Sequence, residues 1–147
     1  MEIRLSLSAD VYYHGTKKKF SAFSEYRPAF FTKSLDYAKE YGPIIMEAHL
    51  DIKHVFDTRN DRRAVQIYNE KFLLSGLAQE GARRITLGSP VPFREADELW
   101  AYLAIPEYPE PHYDAIIVSE GTAGTAMHAA ELSYVPLHVN QIKLVKS

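Results

Sequence analysis

The amino-acid sequence predicts a single α+β domain. Its 147 residues are 46% hydrophobic and 24% charged, which is the size and composition of one soluble globular domain. β-prone runs stand in the first and last thirds, whereas helical periodicity is confined to the middle of the chain. Strands early, helices in the middle and strands late favour an α+β sheet sandwich over a regular βαβ alternation. No repeat and no Gly/Ser-rich linker divides the chain, so we expect one domain over residues 1–147.

Two short strands and a helix are predicted in the first third. Residues 11–13 are β-prone and end at His14-Gly15-Thr16, where the glycine permits a turn. Residues 29–31 are a second β-prone run. A helix follows over residues 35–41, because Thr32 or Ser34 can cap its first turn and a Gly-Pro pair ends it.

Periodicity and β-prone composition predict the remaining elements. Apolar residues recur at helical spacing over residues 61–79, which predicts a helix of about four to five turns. A second helix is expected over residues 94–103, with Leu99, Trp100 and Leu103 on its buried side. β-prone runs predict further strands at residues 44–50, 55–57, 113–118, 134–137 and 141–145. A Gly-containing loop at residues 121–125 separates two of the late strands.

Composition excludes several classes of function. The net charge of −2 creates no global field that would draw the protein to nucleic acid or to an anionic membrane. The absence of Cys excludes a disulfide framework, thiolate catalysis and a Cys-type zinc site, and the six His lack metal-ligand spacing, so we expect no metal. No apolar run approaches the roughly 18 residues of a membrane helix, and the first residues do not form a signal peptide. The expected location is therefore cytoplasmic, without a membrane partner.

Aromatic residues are concentrated near the beginning of the chain. Nine of them stand between Tyr12 and Tyr41, well above the 12% average of the sequence. Phe30 on a strand and Tyr41 on the following helix can converge on a planar heteroaromatic, although packing in a core is the simpler interpretation of each ring. Because side chains alternate along a strand, Phe30 and Phe31 face opposite ways and only one of them can join such a sandwich.

The His14-Gly15-Thr16 motif offers a second candidate for binding. A histidine at the end of a strand can present its imidazole to a cleft, and the bare backbone of Gly15 lets a ligand approach its N–H and C=O. The alternative is a strand-end histidine that is hydrogen-bonded to backbone.

The order of these motifs resembles the ADP-ribosyltransferase family. A strand, His14-Gly15-Thr16, an aromatic loop, Phe30-Phe31-Thr32, a helix with Ala38 and Tyr41, and a late strand follow one another as in the diphtheria-toxin and poly-ADP-ribose-polymerase branch. Within that branch the chain is most similar to small phage and bacterial versions. The resemblance covers residues 11–42 well and residues 113–145 moderately, while residues 52–112 match nothing.

The resemblance implies a split β-sandwich with helices beside an NAD cleft. It implies that NAD is the co-substrate of a mono-ADP-ribosyltransferase that needs no metal, releases nicotinamide and acts as a phage or bacterial effector. A macromolecular acceptor is implied, with a protein favoured over nucleic acid. The residues that would contact NAD on this basis are His14, Gly15, Thr16, Phe30, Thr32, Ser34 and Tyr41.

Individual roles also follow from the resemblance. His14 would bond the adenosine-side ribose, and the Gly15 backbone would bond the nicotinamide carboxamide, with Thr16 beside the ribose. Phe30 and Tyr41 would flank the nicotinamide ring, Phe30 standing where the family has Tyr. Ser34 lies near the position of a serine that bonds the carboxamide.

The third element of the family motif departs from its pattern. Family members commonly carry Glu immediately before Tyr-Val on the late strand, and here Ser133 stands in that position. Cleavage of the N-glycosidic bond develops positive charge on the sugar, which a carboxylate stabilises and a serine dipole does not match. Glu131, two residues earlier, is our candidate catalytic carboxylate, together with His14 and Ser133. Glu120 is the second candidate for that carboxylate.

Two alternative functions remain open from the sequence. The substitution of Ser133 for Glu and Phe30 for Tyr fits a catalytically degenerate NAD-binding or protein-interaction module. An NAD-dependent RNA 2′-phosphotransferase of the same fold is the other. The arginine pairs Arg62-Arg63 and Arg83-Arg84, with Arg59, are surface cations unless they cluster in space, in which case they would form a nucleic-acid or partner patch.

Overall fold

A computed structural model describes residues 10–20, 22–104, 112–119 and 131–145, and within them the chain has a mixed α+β fold with two sheets and three α-helices. The α+β prediction is therefore confirmed. In chain order the elements are β1 (Tyr12–Thr16), α1 (Leu35–Lys39), β2 (Ile44–Leu50), β3 (Val55–Phe56), α2 (Arg62–Ile67), a π-helical turn (Tyr68–Phe72), β4 (Val91–Pro92), a 3-10 turn (Phe93–Glu95), α3 (Ala96–Leu103), β5 (Ala115–Ser119), β6 (Leu132–Pro136), a second 3-10 turn (Val139–Gln141) and β7 (Ile142–Leu144).

The first sheet is antiparallel and has the order β1-β2-β7. Its register places Tyr12 opposite Ala48 and Leu50 opposite Ile142. The inward side chains, with Phe31, form a small apolar core in which Tyr12, Phe31 and Ala48 are buried. The strand predicted at residues 44–50 is confirmed residue for residue, and the one predicted at residues 141–145 is confirmed with a small shift. The turn expected at His14-Gly15-Thr16 is wrong, because β1 continues through these three residues and pairs there with β2.

The second sheet is built around β5. The short strands β3 and β4 pair in parallel with its two ends, and β6 pairs antiparallel along its whole length. Four of the five β5 residues are buried, because helices α2 and α3 pack with this sheet in the larger apolar core. The strands predicted at residues 55–57, 113–118 and 134–137 are confirmed within two residues, whereas β4 has no counterpart in the sequence prediction.

A two-residue segment joins the two sheets. Phe31 exchanges both backbone hydrogen bonds with Tyr134 of β6, and Thr32 exchanges both with Tyr13 of β1. The strand predicted at residues 29–31 is therefore wrong. Each residue pairs with a different sheet, so no continuous ladder can form along this segment. Its alternation is nevertheless kept, since Phe31 is buried in the small core and Phe30 packs against the large one.

Helix α1 is shorter than the predicted 35–41. Ser34 caps it, since the backbone N–H of Tyr37 donates to the Ser34 hydroxyl over 3.1 Å. Thr32, the other predicted cap, instead accepts from the backbone N–H of Ser34. The helix ends at Lys39, and Tyr41 lies just beyond it, before the predicted Gly42-Pro43 stop.

The helix predicted over residues 61–79 is also too long. Asp61 caps α2 by accepting from two backbone N–H groups, and the π-helical turn carries the chain on to Phe72. There Ser75 donates its hydroxyl to the Phe72 carbonyl, and Gly76 takes a φ of 88°, which glycine adopts without strain. The apolar residues beyond this stop, such as Leu74 at 80% exposure, are therefore not on a buried helical face.

The second predicted helix is confirmed as the 3-10 turn followed by α3. Leu99 and Leu103 are buried in the large core, and Trp100 packs against it while its Nε1–H donates to the Pro136 carbonyl. None of the helices in the described part of the chain is both long enough and apolar enough to cross a membrane.

Candidate functional site

A cavity of about 130 Å³ opens where the two sheets part. Strand β1, the bridging segment, the end of α1, the 3-10 turn after β4 and strand β6 each contribute to its walls. The lining residues are Tyr13, His14, Gly15, Phe30, Phe31, Thr32, Tyr37, Ala38, Tyr41, Phe93 and Ser133. A cavity of about 150 Å³ with apolar walls is enough to hold benzene, so this one has the scale of a single aromatic ring.

Six of the residues selected from the sequence line this cavity together. They are His14, Gly15, Phe30, Thr32, Tyr41 and Ser133, which the chain brings from four separate segments. Three others do not line it, namely Thr16, Ser34 and Glu131. Glu120 and the 121–125 loop lie outside the described residues.

The three residues outside the lining have local surroundings of their own. The Thr16 hydroxyl exchanges hydrogen bonds with the backbone of Lys18, and the Ser34 hydroxyl caps α1. Glu131 precedes β6 by one residue and is partly exposed. A hydroxyl that caps a helix or closes a turn already has a donor or acceptor, which leaves it less free to bond a ligand.

Gly15 is required by packing and also presents free backbone to the cavity. A Cβ at this position would overlap the carbonyl oxygen of Ala38, so α1 can lie against β1 only if residue 15 is glycine. The N–H and C=O of Tyr13 bond Thr32 and therefore point away from β2. Peptide groups of residues two apart on a strand point to the same edge, so the N–H and C=O of Gly15 also point away from β2. The bridging segment leaves that edge after Thr32, so the peptide groups of Gly15 face the cavity.

His14 has a defined tautomer. Its Nδ1 lies 2.8 Å from the Phe30 carbonyl oxygen, which can only accept, so Nδ1 carries the proton and Nε2 is the acceptor of the neutral ring. Burial lowers the pKa of His14, and the bond to Phe30 offsets only part of that shift. The imidazole is therefore neutral at physiological pH, with one lone pair available to a hydroxyl.

Aromatic side chains fix the His14 ring in place. Phe20, Phe23 and Phe31 lie with their ring centroids 5.9, 5.0 and 5.6 Å from that of His14. Phe20 and Phe23 also pack edge to face on each other, which anchors the aromatic loop. Part of the aromatic excess in the sequence is thus used to hold one histidine.

The aromatic walls of the cavity contain residues that the sequence did not single out. Tyr37 is buried, and its hydroxyl lies 2.9 Å from that of Tyr41, with the two rings edge to face. The two tyrosines are four residues apart in the helix predicted over residues 35–41, and that i, i+4 spacing could have shown this pairing. Phe93 packs on Phe30 with ring centroids 5.2 Å apart, and nothing local in the sequence connects residues so far apart. Phe93 and Tyr41 are about half exposed and form the rim of the cavity.

The described lining of the cavity carries no ionisable acid or base except the histidine and the tyrosines. Ser133, 2% exposed on β6, stands at the position where the resemblance stated from the sequence implies a glutamate. Within the described residues no carboxylate lines the wall around it. A ring held there would therefore meet aromatic faces and polar dipoles of the described residues and no charged side chain.

A second cavity of about 360 Å³ adjoins the first at His14. Its other walls come from residues 20, 22–24 and 27–29 of the aromatic loop, and include Phe20, Phe23 and the exposed Arg27. The imidazole thus stands between a ring-sized cavity and a larger one that carries a cation. Elongated ligands with an aromatic end fit such a pair better than compact ones.

No group of three or more His, Asp or Glu side chains in the described part of the chain could hold a metal ion. Comparisons of the chain with protein-family models, with curated proteins and with solved structures found no match.

Proposed function

We propose that this protein binds NAD across His14 and transfers its ADP-ribosyl group to a protein acceptor in the cytosol. The observation that carries the proposal is the convergence of His14, Gly15, Phe30, Tyr41 and Ser133 on one ring-sized cavity. These residues were selected by a resemblance in linear order, and that order does not by itself require them to meet.

The ring-sized cavity suits nicotinamide in shape and chemistry. Phe30 and Tyr41 offer aromatic faces, each worth about 0.5–1.5 kcal/mol beyond the burial of area. The N–H and C=O of Gly15 face the cavity and match the carbonyl and amino groups of a carboxamide in a complementary pair. The absence of a Cβ at Gly15 is used by α1, because the Ala38 carbonyl occupies that space.

The larger cavity suits the adenosine end. Nε2 of His14 can accept a hydrogen bond from a ribose hydroxyl, since its Nδ1 proton is committed to Phe30. Arg27 supplies a cation beside the path that a diphosphate would take between the two cavities. The two ends of NAD would then occupy different cavities, with His14 between them.

Transfer breaks the bond between the ribose carbon and the nicotinamide nitrogen, whose electron pair leaves with nicotinamide. The acceptor's nucleophile bonds to the same carbon and loses its proton. Positive charge develops on the sugar, and Ser133 can direct only a dipole toward it. Glu131, one residue before β6, is the proposed source of the carboxylate that stabilises this charge.

A second candidate is an NAD-binding module without transferase activity. The specific observation that favours it is the lining around Ser133, which has no carboxylate within the described residues. The two candidates share a binding site and differ only in turnover.

Binding is tested first, by calorimetric titration with nicotinamide and with NAD. We expect Tyr41→Ala to weaken both ligands by about 2- to 12-fold, the loss of one stacking contact. Tyr26→Ala is the matched control, because Tyr26 is 93% exposed and lies outside both cavities. No binding of either ligand would remove NAD from both candidates, and equal affinity of Tyr41→Ala and the parent would remove Tyr41 and its stacking contact from the NAD site.

Turnover is tested next, by nicotinamide release and by transfer of label from NAD to proteins of a cell extract. The transferase predicts that Glu131→Gln abolishes both signals while NAD still binds, and that Glu47→Gln, on an exposed part of β2, retains both. The binding module predicts no release from the parent. In that case Ser133→Glu tests whether restoring a carboxylate to the cavity wall creates activity.

A further inference from the structure

A third cavity, of about 600 Å³, lies beside the 3-10 turn at residues 93–95. Phe93 of this turn lines the ring-sized cavity, whereas Arg94 and Glu95 line the third cavity. Arg83 and Arg84 also line it, so one of the arginine pairs noted in the sequence does cluster, with a third arginine that is distant in the chain. The volume lies within the roughly 300–1,000 Å³ range of cavities that hold small molecules.

The charge of this cavity is positive. Arg94 donates from Nε to Glu95 Oε2 over 2.8 Å and from Nη2 to the Gly81 carbonyl, so its position is fixed and its charge is paired. Arg83 and Arg84 are exposed, and the described residues place no carboxylate within ion-pair distance of either. Two guanidinium groups are therefore available to an anion from outside.

The floor of the cavity contains buried polar atoms without partners. Tyr68 is fully buried and Glu95 is 2% exposed, yet the Tyr68 hydroxyl and the second carboxylate oxygen of Glu95, Oε1, make no hydrogen bond within the described part of the chain. Buried polar groups in proteins are nearly always bonded, so these two atoms indicate that a further group belongs there. Burial and the nearby Glu95 raise the pKa of Tyr68, so its hydroxyl keeps its proton and can donate.

These features define a ligand with two chemically different parts. Arg83 and Arg84 need an anionic group, and guanidinium groups bind phosphate through paired, charge-assisted N–H bonds of defined geometry. Glu95 Oε1 needs a hydrogen-bond donor and would repel a bare anion. Ile85, which also lines the cavity, offers an apolar surface to a flat ring.

We propose that this cavity binds a nucleotide, with its phosphate on Arg83 and Arg84 and an N–H group of its base on Glu95 Oε1. The nucleotide is either free or one unit of a single-stranded nucleic acid, because both present the same groups. The site is separate from the cavities at His14 and does not depend on the function proposed for them.

The test is calorimetric titration of the full chain with inorganic phosphate, with cytidine, adenosine and guanosine, and with their 5′-monophosphates. At least one nucleotide should bind about tenfold or more tightly than both inorganic phosphate and its own nucleoside. The double variant R83Q/R84Q should weaken that nucleotide by about tenfold or more, and R62Q/R63Q, an exposed pair on α2, should not.

Two further measurements distinguish a nucleotide site from a phosphate site, and a free nucleotide from a nucleic acid. Tyr68→Phe keeps the buried ring and should reduce the preference for nucleotide over phosphate, and Tyr26→Ala, an exposed position outside all three cavities, should leave it unchanged. A single-stranded RNA or DNA of about 12 nucleotides that binds more tightly than the mononucleotide identifies nucleic acid as the source, and equal or weaker binding identifies the free nucleotide. The proposal is overturned if phosphate binds as well as every nucleotide, or if R83Q/R84Q binds as the parent does.

Discussion

The ring-sized cavity at the sheet junction and the arginine cavity beside α3 are built in opposite ways. The first is made of residues that also hold the fold together: Phe31 belongs to a core, Gly15 admits α1, and Thr32 joins the sheets. The arginine pair of the second projects from the surface, and only the floor is buried. A substitution in the first cavity therefore changes stability and ligand binding together. In the second cavity, a substitution of the arginine pair can change ligand binding without changing stability.

The largest expected effect distinguishes two adjacent phenylalanines of the first cavity. Phe31→Ala should lower the free energy of unfolding by about 3–5 kcal/mol, because Phe31 is fully buried and packs in the small core. Phe30→Ala should cost about 1–2 kcal/mol, because its ring is only partly buried against the large core and Phe93. Urea unfolding of both variants measures this difference. Equal losses would show that the alternation between the two cores does not hold.

Gly15→Ala should cause the next largest loss of stability. The added methyl group would overlap the Ala38 carbonyl, which belongs to the backbone and cannot rotate away, so we expect a loss of about 1–3 kcal/mol. Gly76→Ala is the control, because its Cβ would meet nothing and only the positive φ costs about 1 kcal/mol. Chemical denaturation of the pair, with nicotinamide titration of the folded fraction, separates packing from binding. A Gly15→Ala protein as stable as the parent would contradict the close approach of α1.

Acid should lower the free energy of unfolding of the protein through protonation of His14 in the first cavity. The unfolded chain takes up the imidazole proton near pH 6.5, and the folded protein takes it up only at lower pH, because burial lowers the pKa of His14. Between these two pH values the unfolded state binds more protons, so stability falls as the pH drops below about 6.5. One group contributes at most about 1.4 kcal/mol per pH unit.

The matched variant for this pH effect is His14→Asn. Its amide N–H can replace Nδ1 as the donor to the Phe30 carbonyl, and it does not titrate. Unfolding free energies measured from pH 8 to pH 5 should fall more steeply for the parent than for the variant. Parallel curves would assign the acid sensitivity to other groups.

The smallest change in stability is expected from substitutions in the arginine cavity. R83Q/R84Q should change the free energy of unfolding by less than about 0.5 kcal/mol, because both side chains are exposed and the described residues give them no ion pair. Thermal unfolding without ligand checks this. A large loss of stability would mean that these arginines, like the walls of the first cavity, support the fold.

Much of the fold could be predicted from local pattern. Strand β2 was predicted from a β-prone run and the helix after residue 94 from apolar residues at helical spacing, and both signals lie within a few neighbouring residues. The helix from residue 61 was extended too far, although Ser75-Gly76 carried the signal that ends it. The strand at residues 29–31 could not be judged locally, since its residues pair with two different sheets.

The sequence by itself determined the α+β class, the position of most strands and two candidate caps for α1, of which Ser34 is the cap in the structure. These depend on interactions between near neighbours, which a linear pattern records. Only the tertiary structure decided that Phe93 and Ser133 complete the ring-sized cavity, and that Arg94 joins Arg83 and Arg84 over a buried Tyr68 and Glu95. Those groupings depend on how two apolar cores, made of residues distant along the chain, set the sheets and helices against one another.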